Sequence, residues 1–172
     1  PLDWLQIRTP KSDFLTVLND ETIGLTALPE AIGDVQSHPA FIGLRQKHVD
    51  ATFSTVINYQ PLKEGDRAGI LALQNDDFYI FYGLAMRDGK NMLEVTRRAG
   101  RSDPLDGVVI VSQPAPIGPV SLKADIKAGR ATFSYGKGTT IATDVDVTNL
   151  STDKAAGFVG TLIGPYAYGK RP

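Results

Sequence analysis

The chain has 172 residues, with 18 basic and 19 acidic side chains for a formal net charge of −1, so it lacks the broad field needed to hold nucleic acid or an anionic membrane. It contains no cysteine, which excludes a disulfide framework, a thiolate zinc site and a thiol nucleophile and leaves the compartment without a redox signature. The length fits one domain, residues 1–172, that buries about two thirds of its unfolded surface without a staple.

No apolar run approaches the roughly 20 residues a membrane helix needs, and the opening PLDWLQIRTP lacks a basic region followed by an apolar core. Because the sequence opens on Pro1 rather than Met, we expect a piece of a longer protein. Residues 3–9 read as a short strand. Residues 14–18 and 22–28 read as two more, separated by the turn at Asn19 and Asp20. Residues 29–39, PEAIGDVQSHP, carry proline at both ends, Gly33 and no 3.6-residue stripe, and so form a loop.

From residue 49 to 59, Val49, Ala51, Phe53, Thr55, Ile57 and Tyr59 alternate with polar Asp50, Thr52, Ser54 and Asn58. That period of two predicts a strand with one buried and one wet face. The turn QPLKEGDR follows, then the apolar residues 68–73, the turn QNDD at 74–77 and the aromatic run FYIFYGL at 78–84. These predict a three-stranded antiparallel meander. Residues 92–97 read as a strand with Glu94 and Thr96 on one side, and residues 97–101, RRAGR, as a solvated basic turn. Residues 108–111 read as a strand covered on both faces, and residues 113–119, QPAPIGP, as too rich in proline to pair. Val120, Leu122, Ala124 and Ile126, the turn Ala128-Gly129, and Ala131, Phe133 and Tyr135 form the clearest hairpin. Residues 141–147 alternate again, and the last strand, residues 157–166, is interrupted by glycines that let another strand or a ligand approach closely. Many short strands without an amphipathic helix predict an all-β fold, a two-sheet antiparallel β-sandwich.

Four segments carry a family resemblance. Arg45, Gln46 and His48 match an arginine-glutamine-histidine signature, and Ala68-Gly69-Ile70 with Gln74-Asn75 match a second segment. Gln6-Ile7-Arg8-Thr9-Pro10 is similar to an opening strand, and residues 158–167, FVGTLIGPYA, to a closing one. In this order, over nearly the whole chain, they resemble the C-terminal concanavalin A-like domain of family 43 glycoside hydrolases, the β-xylosidase and arabinofuranosidase group. The resemblance implies a jelly roll that accompanies a catalytic glycosidase domain of the same polypeptide. The domain would pack on that propeller, where the catalytic carboxylates lie, and help shape a pocket for a plant-type oligosaccharide. It also implies that the loop before the signature strand, with Gln36, Ser37, His38 and Phe41, faces the partner domain. Phe41 is assigned to the strand, and His38 stands where the family often has a loop aromatic.

Read alone, the residues announce no hydrolytic site. Glycosidic cleavage usually needs two carboxyl groups about 5 to 5.5 Å apart for retention, and wider for inversion. The glutamates are only Glu21, Glu30, Glu64 and Glu94, without the E-x-D-x-x-E strand of catalytic sandwiches. No G-x-S-x-G elbow supports a serine nucleophile, so no catalytic residue is assigned. Asp144 and Asp146, two apart on a strand, are candidates for a structural calcium ion or simply a wet face. His48 reads as a hydrogen-bonded structural residue. Trp4, Tyr79 and Phe81 are candidates for stacking on sugar, with core packing the other reading. Two further functions stay open: an independent carbohydrate-binding module, which predicts an exposed aromatic row, and a stand-alone hydrolase, which requires two facing carboxylates in a cleft.

Overall fold

The computed structural model describes residues 3–48, 50–151 and 160–170. Its main body is two antiparallel sheets. The smaller sheet contains β5 (Ala51–Ile57), β10 (Val120–Lys127), β11 (Arg130–Tyr135) and β12 (Thr139–Asp146), in the order β12-β11-β10-β5. The larger contains β3 (Ala40–Phe41), β4 (Leu44–Arg45), β6 (Arg67–Asn75), β7 (Phe78–Arg87), β8 (Lys90–Ala99), β9 (Val108–Pro114) and β13 (Leu162–Tyr168). Its order is β3-β13-β6-β7-β8-β9, with β4 also on β13. A further hairpin, β1 (Leu15–Asn19) and β2 (Thr22–Leu25), forms a two-stranded sheet of its own. No helix among the described residues is long and apolar enough to cross a membrane.

The main core lies between the sheets. Ile70, Ile80, Tyr82, Leu84, Leu93 and Val95 of the larger sheet meet Val120, Leu122, Ala124, Ala131, Phe133 and Val145 of the smaller. Each of the Val, Leu, Ile and Phe side chains among them contributes about 1.5–3 kcal/mol on full burial. The Tyr82 hydroxyl donates to the Ser134 carbonyl at 2.6 Å, and its ring meets Phe133 edge-on at 5.1 Å, which ties the two layers together. The smaller sheet keeps the alternation of an outer layer: in β5, Ala51, Phe53 and Ile57 are half-buried while Thr52, Ser54 and Val56 are exposed. The larger sheet is covered on both faces. Ile32, Phe41, Leu71, Leu73, Tyr79, Phe81, Leu162 and Tyr166 form a second cluster on its far side, with Leu5 and Ile7 packed against it.

The expected β10–β11 hairpin is present in the register Lys127↔Arg130. Its turn takes Ala128 to φ 50° and Gly129 to φ 75°, the paired left-handed conformations that match strand twist in a two-residue loop. Several other expectations are corrected. The meander does not form as three neighbouring strands, because β5 pairs β10 in the opposite sheet and residues 58–66 cross between layers. Residues 3–9 make only an isolated bridge, Leu5 to Gly43, instead of a strand. β9 is an edge strand with Val108 and Val109 exposed, not one covered on both faces, and its pairing runs on through Gln113 and Pro114. Val49 and residues 157–159, in two of the expected strands, lie outside the described residues.

The junction of β3, β4 and β13 follows from two residues. Pro165 accepts a bond from Ile42 N at 3.4 Å. Its ring nitrogen faces the same side but has no N–H to return, so the edge strand divides there into β3 and β4. Beside it, a Cβ on Gly164 would lie 1.9 Å from the Ile42 carbonyl oxygen, so only glycine lets the two backbones meet.

Candidate functional site

The loop of residues 29–39 is held from outside by Arg8, Arg98 and Tyr166 and from within by Ser37. Arg8, from the N-terminal segment, donates through Nε to the Ser37 carbonyl and through Nη2 to the Asp34 carbonyl at 3.2 Å. The same guanidinium grips the Asp76 carboxylate at 3.2 and 3.0 Å. Ser37 is buried and donates to the carbonyls of Ala31 at 2.5 Å and Asp34 at 2.8 Å. From the sheet, Arg98 Nη1 donates to Gly33 O at 3.1 Å and Asp76 O at 2.6 Å, and Ile32 N donates to the Tyr166 hydroxyl at 3.3 Å. A loop so tied has lost its conformational freedom on folding, which is what a presenting surface requires.

At its end, His38 is half-buried. Its backbone N–H donates to Glu30 Oε2 at 2.9 Å, and its Nδ1 meets the Thr9 carbonyl. Since a carbonyl only accepts, Nδ1 donates to it, which leaves Nε2 as the ring's other polar atom. Gln36 is exposed, its N–H bonded to Asp34 Oδ1 at 2.9 Å. Phe41 is 1% exposed within the second cluster and turned into the sheet, so it presents no ring to a partner.

The signature residues stand at the other end of the same edge. Phe41 pairs with Tyr166, whereas Arg45 pairs with Leu162. Arg45 and His48 are exposed, and Gln46 donates through Nε2 to the His48 carbonyl at 2.6 Å. Gln46 and His48 line an open cleft of about 440 Å³ together with Gln74, Thr148 and Thr161. The loop group and the signature group are thus two places.

Tyr79 and Phe81 are fully buried, because residues 3–9 and the loop cover the outer face of the larger sheet, and neither can serve as a sugar platform. Trp4 is 42% exposed. Asp144 adopts φ 55° and faces Arg130 Nε at 3.8 Å. The Asp146 carboxylate accepts from Thr148 N at 2.9 Å and Thr148 Oγ1 at 2.6 Å. Among the described residues no three acidic or histidine side chains converge as metal ligands.

Sequence reasoning missed a polar interior on the far face of the larger sheet. Arg67 is 2% exposed, its guanidinium among Tyr79, Phe81 and Tyr166 at 5.9, 4.8 and 5.5 Å from their ring centres. It donates to Asp106 O at 3.1 Å and Thr96 Oγ1 at 3.4 Å. Glu94, fully buried, is bound by Arg87 Nη2 at 2.8 Å and Nε at 3.1 Å; that hydrogen bond raises the Arg87 pKa. Arg98, expected in a solvated turn, is 4% exposed and pairs with Asp77 at 3.1 Å. Burial pushes Tyr166 up to about 12 and raises Tyr79 against the opposing pull of Arg67. The signal was the alternation of Glu94, Thr96 and Arg98, with Glu94 beside Gly83, which faces Gly69 across a close backbone approach. Of the two buried carboxylates among the described residues, Glu94 is taken by Arg87 and Asp66 by the N–H groups of Leu62 and Lys63, so they form no acid–base pair.

Comparison with known proteins gives a match to the family model of the β-xylosidase C-terminal concanavalin A-like domain over residues 1–172. The chain is 27% identical over 177 residues to the non-reducing end α-L-arabinofuranosidase BoGH43B of Bacteroides ovatus, covering 98% of this chain and 32% of that protein. Among solved structures it is similar to the GH43 protein BlXynB of Bacillus licheniformis, with a TM-score of 0.84 and 19% identity over 100% of this chain and 34% of that one. It is also similar to a GH43_12 protein from a capybara gut metagenome, with a TM-score of 0.82 and 24% identity over 96% of this chain and 32% of that one. The chain spans about a third of the length of these relatives.

Proposed function

Since this chain belongs to the β-xylosidase C-terminal concanavalin A-like domain family, we propose that it is the noncatalytic part of a longer family 43-type glycosidase. It packs on the catalytic domain of the same polypeptide, and its Arg8-clamped loop brings Gln36, Ser37 and His38 to the rim of that domain's pocket. The observation that carries this reading is the family match over the whole chain together with the coverage of only a third of each relative. The role of the loop is supported by the hydrogen bonds that tie it down and by the half-buried His38, whose Nδ1 is held by the Thr9 carbonyl. A family named for β-xylosidase and a relative named as an arabinofuranosidase favour a plant-type oligosaccharide of xylose or arabinose as the substrate of the whole protein.

The competing reading is an independent carbohydrate-binding module. Its exposed aromatic row is not found among the described residues, where Trp4 is the only exposed aromatic side chain. Isothermal titration of xylo- and arabino-oligosaccharides into the 172-residue chain separates the two: the accessory role predicts no saturable heat, and saturable binding would favour the module.

A further inference from the structure

The β1–β2 hairpin carries an apolar face that opens to solvent toward its tip, at Val17. Its register pairs Leu15 with Leu25 and Val17 with Ile23, which puts all four on one side of the ribbon. Leu25 is half-buried and anchored on the cluster of Phe14, Leu28, Ala40 and Ile42, so the root of the hairpin is fixed to the edge of the larger sheet. Beyond that root, Leu15, Ile23 and Val17 are 38%, 38% and 72% exposed, and every residue of β1 is open to solvent. A two-stranded ribbon is marginal by itself in water, and an apolar sheet face is normally one half of a layered contact.

The surroundings say what the other half is. The hairpin and its flanks, residues 13–28, contain three carboxylates, Asp13, Asp20 and Glu21, and no lysine or arginine. Two copies of this hairpin face to face would oppose like charges, so a second copy of the chain is a poor occupant. The hairpin is rooted on Ala40 of β3, directly after the loop that carries His38. In the relatives about two thirds of the polypeptide lies outside the matched domain.

We infer that the Leu15–Val17–Ile23 face seats this domain on the glycosidase domain of its own polypeptide, against an apolar patch rimmed by lysine or arginine. This rests on the accessory role proposed above and names the contact surface. The acidic border steers and orients the docking, while the apolar face supplies its burial.

The test uses the full polypeptide, with the photocrosslinking residue p-benzoylphenylalanine placed at Val17, at Gln36 in the loop, or at Lys137 in the β11–β12 turn as a remote control. The expected result is a crosslink from Val17 into the glycosidase domain of the same molecule, read by mass spectrometry of the monomer band, at least tenfold above that from Lys137 and weakened by high salt. Crosslinks from Val17 only between molecules, or no more than from Lys137, overturn the inference. If Gln36 reaches the glycosidase domain and Val17 does not, the hairpin surface is wrong and the accessory role stands. If neither does, both fail.

Discussion

The Arg67 guanidinium lies 4.8 Å from the centre of the Phe81 ring, in a cage closed by Tyr166 and Tyr79. Its polar partners include the Asp106 carbonyl and the hydroxyls of Thr96 and Tyr79. Ring faces and carbonyl dipoles offset the cost of burying a cation. Arg67→Ala removes the charge and leaves a void under three rings, and should cost about 3–5 kcal/mol by urea unfolding. Arg67→Lys should also cost about 2 kcal/mol, because an ammonium cannot stack as a plane. A loss within about 0.5 kcal/mol for both, the range of ordinary surface changes, would show that the cage carries little of the fold.

Gly164 is the tightest contact in the sheet, with the Ile42 carbonyl oxygen 1.9 Å from where a Cβ would stand. Gly164→Ala should push β3 and β4 off β13 and remove soluble expression. As a control, Gly65→Ala, where a Cβ meets nothing within 4 Å and only the φ of 86° is strained, should express at a modest loss of about 1 kcal/mol. Equal behaviour of the two variants would contradict the crowded junction.

Tyr166 and Tyr59 are both raised to about 12, first by burial, with Asp66 adding to Tyr59. Between about pH 10 and 12 the unfolded chain loses these protons while the folded chain keeps them, so stability is complete below pH 10 and falls as pH rises through 12. Melting temperature followed from pH 8 to 12, with tyrosinate absorbance at 295 nm, should show both events together. Tyr166→Phe should flatten the alkaline slope and, by orphaning the Ile32 N–H, cost about 1–3 kcal/mol at neutral pH. Ionisation of Tyr166 near its ordinary value in the folded protein would contradict its burial.

The fold was most legible where chemistry is local. The β10–β11 hairpin follows from alternation and from Ala128-Gly129, which need no knowledge of the rest of the chain. The partner of β5 was not legible, since a polar turn rich in Pro and Gly returns a strand to its neighbour or carries it to the other layer with the same composition. Arg98 was read as wet because basic residues cluster there; its partners, Gly33 and Asp77, come from separate segments. Tyr79 and Phe81 became core for the same reason, since the residues that cover them lie far away in sequence. His38 was singled out through the family resemblance, whereas Arg8 was seen only as part of a motif, because Ser37 and Asp76 lie 29 and 68 residues away.

Arg8→Met should loosen the loop without unfolding the domain. The Arg8–Asp76 pair is partly exposed, with side chains 23% and 22% accessible, so its loss should cost about 1 kcal/mol. Amide exchange at Gln36, Ser37 and His38 should quicken while β7 and β8 stay protected. Unchanged exchange in the loop would show that Ser37 and Arg98 hold it alone.

The accessory role requires the loop to act on a neighbouring active site. The most direct measurement is kcat/KM on 4-nitrophenyl xyloside and arabinofuranoside for the full polypeptide and its His38→Ala variant, with melting temperature as the check on folding. The account predicts a fall of about tenfold or more on at least one substrate with melting temperature unchanged, because a misplaced pocket wall costs transition-state positioning. Equal kcat/KM on both substrates would contradict it.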